Sequence, residues 1–392
     1  MIRSVLQIPN YYWPHTGGIE QVSRDLARVL REAGVSQRIL CFNEDAGEGD
    51  SRCRRRETVT QTVDGVEVLR CGCAAKVRSQ SIAPGYPRLL RQTLAEFHPE
   101  AVVFHYPNPF VAGFLLRALP PETKLILYWH LDITKQKWLR LLFRSQNRRL
   151  IDRADRIVAT SPPYISGSPW LTRGKEKCVV IPNCLEESRL RRTAGSEALA
   201  HRLRRENPDK ILCFGVGRHV PYKGFRYLID AARQLDDRFV FIIAGSGEES
   251  ERLRRQAAGD PRIRFPGRVS DEELAGYLTA CDIFCFPSIT KNEAFGIALA
   301  EAMRFGKPAV TFTIPGSGVN YVSLDGETGL EVPNRDAAAY AAALRDLANH
   351  PAKRKRLGDN AKKRAEKWFL YPAYRDHILQ MLDRLDKGDS PS

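Results

Sequence analysis

Short apolar runs alternate along the whole chain with amphipathic stretches of helical period. In the first half the runs are Val5 to Ile8, Arg38 to Phe42, Ala101 to Phe104, Leu125 to Tyr128 and Arg156 to Ala159, with a helix predicted around Val22 to Leu30. The pattern starts again at Ile211 to Phe214 and continues through Phe239 to Ala244, Ile263 to Phe265, Ile283 to Phe286 and Ala309 to Thr311. Runs that are apolar at nearly every position suit strands buried on both faces, and helices between them place those strands in parallel sheets. The restart predicts two doubly wound α/β domains, each binding ligands outside the carboxyl ends of its strands.

Length agrees, since 392 residues exceed what one compact core usually holds. The charged stretch 186 to 209 carries Arg189, Arg191, Arg192, Arg202, Arg204 and Arg205, and its first part is the expected linker. Trp368 to Leu385 is predicted to be helical and Gly388 to Ser392 a frayed tail. Pro9 breaks the apolar start before any signal-peptide core forms, and no run is long enough to cross a bilayer, so the expected location is the cytoplasm. Nine cysteines without a C-x-x-C pair fit reduced thiols, Cys71-Gly72-Cys73 included. A formal charge of +15 calls for an anionic partner: nucleic acid, a membrane surface or a phosphorylated substrate.

Candidate chemistry gathers at strand ends. Gly17-Gly18-Ile19-Glu20 lies between the first strand and its helix, where glycines let a ligand approach helix N–H groups, although a turn without a ligand is as common. Gly215 to Gly224 follows the first strand of the second half and carries Arg218 and Lys223. Two fixed cations there suit a departing diphosphate, and a solvated basic loop accounts for them equally well. Gly245-Ser246-Gly247 is a third glycine turn at a strand end, and the three together are expected to point into one cleft. Glu293 and Glu301 flank a turn containing Gly296, with Glu293 predicted at the mouth of a helix and Glu301 roughly 12 Å further along it. That reach fits a nucleotide-diphosphate sugar: one carboxylate on the hexose, the other on the ribose, and the backbone near Gly296 on the diphosphate. His130 ends a first-half strand, where it can bond a sugar hydroxyl or a developing charge with Asp132 as its partner. The sequence has no D-x-D and no metal-ligand spacing, which disfavours a metal-dependent reaction. Lys135, Lys137, Arg140, Arg144, Arg148 and Arg149, interleaved with Trp138, Leu139, Leu142 and Phe143, read either as a surface helix for anionic lipid or as a solvated face over a core stripe.

Taken in order, Gly17 to Glu20, Gly217-Arg218 to Lys223-Gly224, Gly245 to Gly247, Phe265-Pro266-Gly267-Arg268 and the block from Glu293 to Met303 resemble the retaining glycosyltransferases of family 4 over nearly the whole length. His130 to Lys137, Thr160 to Tyr164 and Gly316 to Asn320 are similar to a bacterial branch that builds O-antigen and related polysaccharides with mannose, rhamnose or similar sugars. The resemblance implies a GT-B fold, two doubly wound Rossmann-like domains facing a central cleft. Its domains would be 1–187 for the acceptor and 188–369 for the donor, with a last helix over about 370–388 crossing back to the first. It also implies roles. Arg218 and Lys223 would hold the diphosphate, Glu293 the hexose hydroxyls, Phe295, Gly296 and Ile297 the diphosphate and sugar, and Glu301 the ribose. Gly17 and Gly18 would sit against the donor phosphate and acceptor, Gly245 and Gly247 beside the donor, Arg268 near the base, and His130 on the transferred sugar. Leu131, where a small polar residue is usual, leaves the acceptor less defined.

The implied activity is retaining transfer of a hexose from a nucleotide-diphosphate sugar, GDP-mannose favoured, to a saccharide acceptor that is lipid-linked. No metal or other cofactor is expected. A carboxylate nucleophile is disfavoured, because Glu293 is better placed to bind hydroxyls, and same-face departure and attack fits instead. A nucleotide-sugar epimerase of the same architecture is the alternative. Nucleic-acid binding has only the charge behind it, without a recognition motif.

Overall fold

The computed structural model of the protein describes residues 2–15, 17–44, 56–77, 80–132 and 143–390. Two compact units emerge. The first comprises Met1–Thr160, Ser168–Ile181 and Arg375–Ser392, and the second Ser161–Gly167 and Pro182–Tyr374.

The first unit holds β1 (Ser4–Ile8), β2 (Ser36–Asn43), β3 (Val59–Val63), β4 (Val66–Gly72), the small hairpin of β5 (Ala75–Val77) and β6 (Gln80–Ile82), β7 (Ala101–Tyr106), β8 (Lys124–Trp129), β9 (Arg156–Ala159) and β10 (Cys178–Val180). Its main sheet runs β10-β9-β8-β7-β1-β2-β4-β3. Every neighbouring pair is parallel except β3 with β4, which join through a tight turn at Asp64 and Gly65, both at positive φ. The strand order reverses between β1 and β7, which makes the loops after these two strands the natural ligand site. All six residues of β7 are buried, as the apolar run requires of a strand covered on both faces.

The second unit holds β11 (Ile211–Val216), β12 (Phe239–Ala244), β13 (Ile263–Gly267), β14 (Ile283–Phe286), β15 (Ala309–Phe312) and β16 (Gly329–Val332). The order is β13-β12-β11-β14-β15-β16, all parallel, so the switch point falls between β11 and β14. Some of its helices start at side-chain caps. Ser270 and Glu273 form a reciprocal capping box ahead of helix Asp271–Ala280, and Thr193 with Ser196 does the same for Ala194–Glu206.

The carboxyl-terminal region differs from one continuous helix over Trp368 to Leu385. Helix Pro351–Trp368 stops and helix Tyr371–Lys387 starts after a two-residue break. Phe369 is fully buried there with its ring edge-on to Phe295, its carbonyl accepts from Leu185 N at 2.7 Å, and Pro372 favours a new first turn. Cys71 and Cys73 are both buried, with no disulfide between them.

Candidate active site

The chemistry of the second unit lies at the carboxyl ends of β11 to β14. Lys223 ends the short turn Pro221–Lys223 after β11. Its ammonium bonds Glu293 Oε2 on the loop after β14, with both side chains only 12% exposed. Ser288 Oγ donates to the same oxygen at 3.0 Å, and Lys223 Nζ lies 5.0 Å from the Phe286 ring centroid. The sequence-predicted cation and carboxylate are therefore mutual partners across the switch point. Arg218 is exposed, and its Nη2 donates to Tyr222 Oη at 3.2 Å.

Backbone rather than side chains forms the floor beside this pair. Gly217 N donates to Ala244 O at 3.1 Å, His219 N to Ser246 O at 2.9 Å and Gly245 N to Gly267 O at 2.6 Å, which laces together the loops after β11, β12 and β13. Gly245 has φ of +119°, and a Cβ there would stand 1.9 Å from Gly217 O. Gly247 crosses close to the backbone of His219, and Arg268 is exposed at the end of β13.

The loop carrying Glu293 is held from behind. Ser317 Oγ donates to Glu293 O, and Gly318 N donates to Ala294 O at 3.1 Å. Glu293 lies outside the helix rather than at its mouth, because Gly296, at φ +95°, ends the loop and helix Ile297–Arg304 begins only there. Leu299 N and Ala300 N donate to Gly296 O, and the amides of Ile297 and Ala298, which precede any helical acceptor, suit an anion. Phe295 is buried, so what it offers a ligand is backbone. Glu301 is 6% exposed and bonded by Arg189, whose other nitrogen reaches Asp271 at 2.7 Å. A ribose hydroxyl at Glu301 would share the carboxylate with that guanidinium. Arg189 was legible only as one of several linker arginines, since it meets Glu301 across 112 residues of chain.

In the first unit, Gly17 and Gly18 are exposed at the start of helix Gly18–Glu32. Glu20 lies against Gly17, and burial pushes its carboxyl above the usual carboxylate range. Ahead of the turn, buried Arg70 donates to the carbonyls of Tyr12 and Trp13, an anchor the sequence did not announce.

His130 follows β8 and is 7% exposed. Its Nε2 is 3.0 Å from Nδ1 of His105, and burial pushes its pKa down to about 3, so the ring is neutral at physiological pH. The partner is His105 on β7. Asp132 accepts from Trp129 Nε1 at 3.0 Å and from Ser168 Oγ at 2.8 Å. His105 had a signal, a single polar residue near the end of an apolar strand.

Of the basic amphipathic segment, Lys135, Lys137, Trp138, Leu139, Arg140 and Leu142 lie outside the described residues. Arg144, Arg148 and Arg149 are exposed on helix Arg144–Arg153, whose Asn147, Leu150 and Ile151 face inward. Among the described residues no helix is long and apolar enough to cross a membrane.

Comparison with known proteins adds the family. The glycosyl transferases group 1 description matches residues 198–364, and the glycosyl transferase 4-like domain matches residues 17–184. The chain is 30% identical over 378 residues to O-antigen chain mannosyltransferase C of Escherichia coli, covering 96% of this chain and 95% of that protein. It is 32% identical over 357 residues to the D-rhamnosyltransferase WbpZ of Pseudomonas aeruginosa, covering 90% and 88%. In fold it is similar to sucrose-phosphate synthase from Thermosynechococcus elongatus, with a TM-score of 0.78 at 21% identity over 99% of this chain and 100% of the other. It is also similar to WaaG, a glycosyltransferase involved in lipopolysaccharide biosynthesis, with a TM-score of 0.68 at 16% identity over 96% and 99%. With both halves matched and two relatives aligned over most of their length, the chain belongs to the group 1 glycosyl transferases, built on the two-domain GT-B fold.

Proposed function

We propose that this enzyme moves a hexose, mannose or a related sugar favoured, from a nucleotide-diphosphate sugar to a saccharide acceptor during synthesis of a bacterial cell-surface polysaccharide. The reaction proceeds with retention at the anomeric carbon and without a metal ion. The observation that carries the reading is the Lys223–Glu293 pair at the second switch point, beside a glycine floor made of closely packed backbone. Glycines there let a diphosphate approach closely, and a cation held against a carboxylate suits a sugar phosphate, one group for the leaving charge and the other for the hydroxyls.

In this mechanism the bond from the anomeric carbon to the diphosphate oxygen breaks, and the acceptor oxygen bonds that carbon from the same face. The acceptor's proton passes to a phosphate oxygen, and the nucleoside diphosphate leaves. Lys223 and Arg218 offset its charge, Glu293 orients the hexose, and the amides at Gly296 and Ile297 bind the phosphates. The mannosyl- and rhamnosyltransferase names of the two relatives support the sugar class and the polysaccharide setting. A protein of similar fold, Alr3699/HepE of Anabaena, is known in complex with UDP-glucose, which supports a nucleotide-sugar donor. GDP-mannose is the favoured donor. A lipid-linked acceptor and a place on the cytoplasmic face of the membrane belong to the same reading, supported by the exposed arginines of helix Arg144–Arg153.

The test is a purified transfer assay with GDP- and UDP-sugars and mannoside or rhamnoside acceptors in the presence of a chelator, with the product's anomeric configuration read by NMR. Conversion of the donor without an acceptor, or an inverted product, would refute the mechanism.

A further inference from the structure

Gln7 and His105 interrupt the apolar strands β1 and β7, and both side chains are buried. Polar groups in the middle of a parallel sheet are costly unless their hydrogen bonds are made. Here the bonds run in a single direction. Gln37 Nε2 donates to the Ala27 carbonyl at 2.7 Å, and since a carbonyl only accepts, the Gln37 amide must turn Oε1 the other way. Gln7 Nε2 donates to that Oε1 at 3.3 Å. Gln7 Oε1 is thereby left to accept, and it faces Ser23 Oγ at 3.2 Å and His105 Nε2 at 3.4 Å.

An imidazole nitrogen that faces an amide oxygen carries the proton. Burial holds the His105 pKa well below its usual value, so the ring is neutral and its Nδ1 is bare. The 3.0 Å contact from that Nδ1 to His130 Nε2 then requires the proton to sit on His130. His130 is neutral too, and with its one ring proton on Nε2 it has none left for Nδ1. Among the described residues nothing hydrogen-bonds to that Nδ1.

We infer that the relay from the Ala27 carbonyl through Gln37, Gln7 and His105 fixes His130 in the tautomer protonated only on Nε2, so that the ring meets a sugar at Nδ1 as a hydrogen-bond acceptor. Gln7 and His105 are positioning residues, buried in the sheet behind the ring they orient. His130 selects a free hydroxyl, which can donate, over a methoxy group or a bare carbon at the same place on the sugar. It supplies neither a proton nor a positive charge to the leaving group. The sugar contact rests on the function proposed above, whereas the tautomer does not.

Solid-state nitrogen NMR of the full chain, labelled on its histidines, tests the tautomer directly. The coupling across the N–H···N bond identifies the two rings, and both should show a protonated Nε2 with a bare Nδ1. A proton on His130 Nδ1 in the wild-type protein would overturn the inference. Gln7→Met removes the acceptor at similar volume. Gln7→Met should show a second His130 population protonated on Nδ1 and lose about 3- to 10-fold in kcat/KM for the nucleotide sugar, with GDP affinity unchanged. A single tautomer in Gln7→Met would mean that the relay does not set it. Absence of any sugar transfer by the wild type would instead sink the functional reading and leave the tautomer result standing.

Discussion

Acid should unfold this protein partly through His130, and the size of the effect follows from its burial. In the unfolded chain the ring takes up a proton near its ordinary pKa of 6.5, while in the folded protein it resists protonation down to about 3. Between those values the unfolded state binds the extra proton, so the folded state loses stability as the pH falls, at about 1.4 kcal/mol per pH unit. From about pH 8 to about pH 5 only the part below 6.5 counts, roughly 1.5 units, or about 2 kcal/mol. His130→Asn removes this titration while keeping a donor for His105 Nδ1. Urea unfolding followed by circular dichroism at both pH values, for wild type and variant, gives two losses whose carboxylate contributions cancel on subtraction. The wild type should lose about 2 kcal/mol more than the variant. Equal losses would show that His130 is not held neutral, and the tautomer argument would go with it.

Three other outcomes are expected. Lys223→Met leaves the Glu293 carboxylate, 12% exposed, with Ser288 as its remaining side-chain partner among the described residues, so turnover should fall on the order of a hundredfold and stability by up to about 3 kcal/mol. Adding Glu293→Gln should recover stability in the urea titration without recovering turnover, and a Lys223→Met enzyme with near-normal turnover would remove Lys223 from the mechanism. Gly245→Ala places a methyl 1.9 Å from the Gly217 carbonyl at a φ of +119°, which should cost about 3 kcal/mol and abolish the rise in melting temperature that GDP gives the wild type. Liposomes rich in anionic lipid should retain the protein at low salt and release it as salt is raised. Replacing Arg144, Arg148 and Arg149 together should weaken that binding, and indifference to salt or to the triple change would count against a membrane role for this helix.

Much of the fold was readable because burial on both faces leaves a plain signature. Arg156–Ala159, Phe239–Ala244 and Ile283–Phe286 stand as strands with the bounds their apolar runs suggest. The edge strands were harder, because alternation dilutes their apolar content: β3 is half-exposed throughout, and its hairpin with β4 was marked only by Asp64-Gly65, a dipeptide that favours the positive φ of such a turn. In the site, residues that meet through sequence-local geometry were legible, such as the glycine turns and Lys223. The Arg189 bond to Glu301 was not, since a single long-range ion pair leaves no periodicity. Gln7 and His105 are intermediate cases: each is conspicuous as a polar break in an apolar strand, but only the three-dimensional register of β1, β2 and β7 shows that they point at one another.

The laced glycine floor has a practical corollary for changing what the enzyme uses. Because the loops after β11, β12 and β13 touch backbone to backbone, a side chain added at Gly245 or Gly247 would collide with the main chain of Gly217 or His219, and replacement there is a structural lesion rather than a change of preference. Under the proposed reading, altered donor choice has to come from the rim, where Arg218 and Arg268 are exposed. A library confined to those rim positions would retain folded members, and shuffling the glycine turns would mostly return insoluble ones.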